Sequence, residues 1–145
     1  MICHLLRRDT RGSTMVEFAI VGVLLCLVTF GVIETGLLWW LKSGLQLTAA
    51  LTARCGAMGY TYNTSNFLCT STSTTQNYAV TSSQAWLFPG MITVANVTVT
   101  GKVASCNGFS GNFFSVSVSS SFFQFLPPPL GNYTALSTIA CFPMQ

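Results

Sequence analysis

Residues 13–42 read STMVEFAIVGVLLCLVTFGVIETGLLWWLK, a proline-free apolar run interrupted by Glu17 and Glu34 and closed by Lys42. Sixteen uncharged residues, Phe18 to Ile33, separate the two carboxylates, and apolar character resumes through Leu37, Leu38, Trp39, Trp40 and Leu41. A helix from Val16 to Trp40 would rise about 37 Å at roughly 1.5 Å per residue, enough to cross a hydrocarbon core of roughly 30 Å with some tilt. The run is therefore expected to be a transmembrane helix.

Its flanks set a direction. Arg7, Arg8 and Arg11 precede it, and Trp39, Trp40 and Lys42 follow. Cationic flanks stay in the cytoplasm and tryptophans collect at the membrane–water interface. The expected topology is a single pass through the inner membrane, N-terminus cytoplasmic and the remainder extracytoplasmic, with Trp39, Trp40 and Lys42 as interface anchors in contact with lipid. A cleaved secretory signal fits poorly. A carboxylate opens the apolar run, the run is too long, and the small residues from Thr48 to Ala53 lie too far beyond its core.

The chain of 145 residues is 50% hydrophobic and only 6% charged, whereas ordinary soluble domains carry about a quarter charged residues. From Cys55 onward the one formal charge is Lys102, and no His, Asp or Glu occurs. General acid–base and metal chemistry draw on those residue types, so no catalytic residue, metal or cofactor is expected. A nucleophile such as Cys55 beside Arg54 would still lack a base. Cations outside the N-terminal cluster number three, Lys42, Arg54 and Lys102, too few for a phosphate-tracking stripe, and nucleic acid is not an expected partner.

Carboxylates near the centre of a membrane helix cost roughly 2.5 to 3.5 kcal/mol each on insertion scales and ask for a functional reason. Glu34 has two readings: a shallow position below the tryptophans with access to water, or pairing with a neighbouring subunit. Glu17 has a sharper one. The basic leader ends in Gly12, and Ser13-Thr14-Met15-Val16-Glu17-Phe18 runs on into the apolar helix. This junction resembles the processing site of type IV prepilins, in which a prepilin peptidase cuts after the glycine. The resemblance implies Ser13 as the first mature residue and Glu17 as the fifth. Residues i and i+4 share a helix face, so the Glu17 carboxylate would lie one turn from the new α-amino group. It could neutralise that group in its own chain or in an adjacent subunit, where an unpaired charge in low dielectric is costly.

The likeness extends through Ala19-Ile20-Val21, through Gly31-Val32-Ile33-Glu34-Thr35-Gly36, and to the C-terminal Ser-Val-Ser-Val, Phe-Leu-Pro-Pro-Pro-Leu-Gly and Leu-Ser-Thr-Ile-Ala segments. Together these are similar to the TadE-like pseudopilins of tight-adherence (Tad/Flp) pilus systems. The resemblance implies a minor pilin or pseudopilin, with Glu34 as a family feature. Its implied partners are a prepilin peptidase, other pilin subunits contacted through the N-terminal helix, and an inner-membrane assembly platform with an ATPase. The chain departs from the major Flp pilins in length and in carrying Glu17-Phe18 where those usually have Glu-Tyr, which favours a minor subunit. Two other functions stay open: a minor pseudopilin of a type II secretion or DNA-uptake machine, and a single-pass anchored binding protein such as an adhesin. The anchored protein would show no cleavage at Gly12 and would tolerate Glu17→Ala.

The expected organisation is a leader over residues 1–12, a transmembrane and assembly helix over 13–59, and an extracytoplasmic α+β domain over 60–145. Leu41, Leu45, Leu47 and Leu51 with Ala49, Ala50 and Ala53 give the outer half of the helix a packing face. Residues 60–76 read as a polar loop and 77–87 as a short helix ending at Phe88-Pro89-Gly90. Phe114, Val116, Val118 and Phe122 alternate with serines as in a half-buried strand. Residues 91–104 are also β-rich, with a face switch that suggests a bulge near Ala95–Asn96. Asn107 to Gly111 reads as the turn joining these strands, and the prolines from Pro127 lead to a third strand over 133–142. The expected fold class is α+β: a long N-terminal helix with a small antiparallel sheet packed on its outer half. Phe123 and Phe125, on the serine face, suggest a subunit contact.

Of six cysteines, Cys3 falls in the leader and Cys26 in the membrane helix, leaving Cys55, Cys69, Cys106 and Cys141 outside. Four cysteines in an oxidising compartment suggest two disulfides with three possible connectivities. Pairing residues near 105 with 114, and 125 with 134, sets Cys106 and Cys141 two strands apart and offset, beyond the ~7 Å Cα limit. This disfavours Cys106–Cys141 and, with it, Cys55–Cys69. Free thiols are the alternative, and a metal site has neither a CxxC pair nor an extracytoplasmic histidine.

Overall fold

The computed structural model describes residues 11–62, 68–121 and 135–144. Residues 1–10 of the leader, Phe122, Phe123, Phe125 and the 127–132 turn lie outside them. In chain order the elements are helix α1 (Arg11–Tyr62), helix α2 (Thr72–Ser83), a 3-10 turn (Val94–Asn96), and strands β1 (Val97–Cys106), β2 (Phe109–Ser121) and β3 (Ala135–Pro143). The class is α+β. The chain divides into two units, one ending at Gly36 and one beginning at Leu37.

In the first unit α1 carries large apolar side chains from Met15 to Ile33 with most of their surface open. Two hydroxyls of this unit are satisfied by the helix itself. Thr29 Oγ1 donates to the Leu25 carbonyl at 2.7 Å, and Thr35 Oγ1 donates to the Gly31 and Val32 carbonyls at 3.0 Å each. Such back-bonding lets a threonine sit in hydrocarbon without an orphaned donor.

The second unit is built on the later turns of α1. Leu41, Gly44, Leu45, Thr48, Ala49, Thr52, Ala53, Gly56 and Ala57 are all buried, a stripe at i, i+3, i+4 spacing. The expected face is corrected here. Leu47 and Ala50 are exposed and Leu51 is half-buried, because Leu47 lies two residues, some 200°, from Leu45 on a 3.6-residue helix. The stripe is mostly small, which brings neighbouring elements close to the helix axis. Thr48 and Thr52 are buried at no polar cost, since each donates to the carbonyl four residues back, Gly44 at 2.8 Å and Thr48 at 2.6 Å.

The sheet is an antiparallel meander in the order β1-β2-β3. In β2, Phe114, Val116 and Val118 point into the core as the alternation predicted, each contributing about 1.5–3 kcal/mol through burial. The Phe114 ring lies against Gly56 so closely that a β-carbon there would overlap it. The turn between β1 and β2 is tighter than expected: Asn107 and Gly108 alone make it, both at positive φ (49° and 85°), with Cys106 paired to Phe109. Two left-handed residues between paired strands make a type I′ hairpin turn.

Two other local expectations are corrected. The helix over 77–87 is instead α2 at Thr72–Ser83, so the polar loop ends earlier. Ser71 caps it: its side chain accepts from the Thr74 amide at 3.3 Å, while Thr74 Oγ1 accepts from the Ser71 amide at 2.9 Å. The face switch near Ala95–Asn96 is produced by the 3-10 turn, closed by Asn96 N–H to the Thr93 carbonyl at 2.9 Å. The irregularities of β1 fall later, between Val99 and Gly101 and between Val103 and Ser105.

The disulfide expectation is overturned. Cys55 bonds Cys69, with Cα atoms 5.7 Å apart, and Cys106 bonds Cys141, with Cα atoms 6.4 Å apart. The first ties α1 to the residues entering α2; the second ties β1 to β3 across the sheet. The register differs from the expected pairing of 105 with 114, since Ser105 pairs with Ser110 and Lys102 with Phe114. Two register shifts also precede Cys106, and such irregularities bend and twist a strand.

Candidate assembly helix and membrane anchor

Gly12 and Ser13 stand in the first turn of α1, which begins at Arg11. Ser13 and Glu17 are four residues apart on the same helix and so share a face. Glu17 is exposed between Met15, Val16 and Phe18, which are exposed as well. A carboxylate is thus displayed on an otherwise apolar helix surface, one turn beyond the Gly12–Ser13 bond.

Glu34 differs from it. It is only 7% exposed, while its neighbours Val32 and Ile33 are more than half open. It stands seven residues before Leu41 and so falls on the helix face that the buried stripe uses. That spacing was available in the sequence and marks Glu34, unlike Glu17, as an inward-facing acid.

At the end of the apolar run Trp39 is 78% exposed and Lys42 is exposed. Trp40 turns partly inward, its ring edge-on to Phe88 at 5.2 Å with the planes at 70°. Sequence reasoning missed Phe88, which reads only as the end of a helix beside Pro89-Gly90. The four outer cysteines are paired as described above. Cys26, in the apolar run, is a free and exposed thiol.

Among the described residues one helix is long and apolar enough to cross a membrane, and it leads into a small disulfide-bonded domain of α2 and three strands. That helix has the length and apolarity of a membrane anchor. The family model described as TadE-like protein matches residues 12–54. The match opens on Gly12, takes in Glu17, Glu34, Trp39, Trp40 and Lys42, and ends at Arg54. Residues 12–54 of this chain are thus similar to TadE-like proteins. No curated protein and no solved structure matches the chain.

Proposed function

We propose that the chain is a minor pilin or pseudopilin that takes part in assembling a tight-adherence pilus after a prepilin peptidase cleaves between Gly12 and Ser13. The observation that carries this reading is the exposed Glu17, one turn past the point where the TadE-like match begins, on a helix whose large apolar side chains from Met15 to Ile33 are exposed. Cleavage leaves the Ser13 amine as a cation and Glu17 as its partner at i+4. Lateral packing of such helices buries apolar side chains and makes the charge pair the element that fixes axial register. Before assembly the helix spans the inner membrane with the disulfide-bonded domain outside. There it meets the assembly platform and the other pilins.

The test is intact mass and N-terminal sequencing of the membrane-derived protein, produced with a prepilin peptidase, beside a Gly12→Ala variant. A mature N-terminus at Ser13 that disappears in the variant is the expected result. A retained leader in the unmutated chain would leave a merely anchored domain as the better account.

A further inference from the structure

The segment after α2 carries no charge from Ala85 to Met91 and meets α1 through Leu87 and Phe88. Its amides are engaged, Trp86 and Leu87 donating to the Ser83 carbonyl at 3.2 and 2.8 Å. Leu87 is buried over Gly44, where a β-carbon would meet its Cδ2 at 2.6 Å. Phe88, Pro89, Gly90 and Met91 form a closed turn, with Met91 N–H donating to the Phe88 carbonyl at 3.2 Å and Gly90 at φ 85°. Proline followed by a left-handed glycine defines a type II turn. At its first position Phe88 keeps 63% of its surface open although it touches Trp40. A hydrogen-bonded turn thus holds a large apolar ring out beside the aromatic pair that ends the apolar run.

We propose that the Phe88-Pro89-Gly90 turn is a second, non-spanning membrane contact that seats Phe88 in the headgroup–acyl boundary of the bilayer beside Trp39 and Trp40. The inference rests on the transmembrane reading of α1. Continuity with the span selects lipid as the occupant: Trp40 stands where the apolar run ends, and Phe88 is in contact with it, so the two rings share one depth. Aromatic and large apolar side chains partition into that boundary. Exposed Lys42, two residues further along α1, suits the anionic headgroups just above it. The arrangement belongs to the membrane-resident subunit before it enters a filament.

The experiment uses the full chain in phosphatidylethanolamine/phosphatidylglycerol vesicles that carry lipids brominated near the headgroup. Three single-tryptophan chains are compared, with the other native tryptophans changed to phenylalanine: one keeping Trp39, one with Phe88→Trp, and one with Phe109→Trp. Phe109 is the control, at the far end of β2. The near end meets the turn, where Ser120 Oγ donates to the Met91 carbonyl at 3.2 Å. Non-reducing peptide mapping first shows that both disulfides are present in each chain. The expected result is blue-shifted emission and quenching of similar depth at Trp39 and Phe88→Trp, with Phe109→Trp unaffected. Quenching at Trp39 without quenching at Phe88→Trp would overturn the second membrane contact and leave the span intact. Equal quenching at Phe109→Trp would overturn it too, as adsorption of the whole domain. No quenching at Trp39 would overturn the transmembrane reading itself, and the second contact with it.

Discussion

Glycines of α1 divide into two kinds that the sequence does not distinguish. At Gly56 an added β-carbon would collide with the Phe114 ring, and at Gly59 with the Cys69 carbonyl, whereas nothing stands within 4 Å of Gly22 or Gly31. We expect Gly56→Ala to destabilise the domain by about 1–3 kcal/mol, the usual cost of overpacking a filled core. Gly22→Ala should change its stability by no more than about 0.5 kcal/mol. Denaturant titration of the full chain in micelles checks both. At the same scale, Glu17→Gln removes a charge from an exposed position, so the domain should unfold at the unmutated denaturant midpoint. If the assembly reading holds, incorporation into pili is lost, as immunoblots of sheared surface fractions would show. Normal incorporation of Glu17→Gln would remove the charge pair from the account.

Elements differ in how plainly they are written. The alternation Phe114, Val116, Val118 against serines is a period-two signal, and β2 forms with those three buried. Helix α2 has no such signal. Its buried residues are Thr75, Ala79 and Ser83, an i, i+4, i+8 row with hardly any apolar contrast, and its start depends on a serine–threonine capping box without the usual Glu or Gln. Ser71→Ala should therefore cost about 1 kcal/mol and lower the melting temperature by roughly 4–8 °C for a domain near 100 residues. Thermal scans followed by circular dichroism measure this. The disulfides act between elements. Closing separations of 14 and 35 residues stabilises by about 3 and about 4 kcal/mol in the chain-entropy model. The double variants Cys55→Ser with Cys69→Ser, and Cys106→Ser with Cys141→Ser, should each keep the other bridge in non-reducing peptide maps. The second pair of substitutions should lower the denaturation midpoint more.

For the whole molecule, the apolar run from Val16 to Trp40, the charge-poor remainder and the Gly12–Ser13–Glu17 spacing reside in the linear order of residues. Length against bilayer thickness, interface-seeking tryptophans and the i, i+4 relation are local physics that needs no knowledge of what folds against what. They gave the long apolar helix, while the α+β class came from the period-two alternation around Phe114 to Val118, and the resemblance of residues 12–54 to TadE-like proteins makes processing at Gly12 the molecular event to test. Which side of α1 is covered was only partly legible: Leu41 and Leu45 lie in the stripe, but small residues rather than Leu47 and Leu51 continue it. The cysteine pairing and the meeting of Phe88 with Trp40 were decided by tertiary structure alone. Each depends on register shifts, strand bending and close approach over glycine, which arise from packing between residues far apart in the chain.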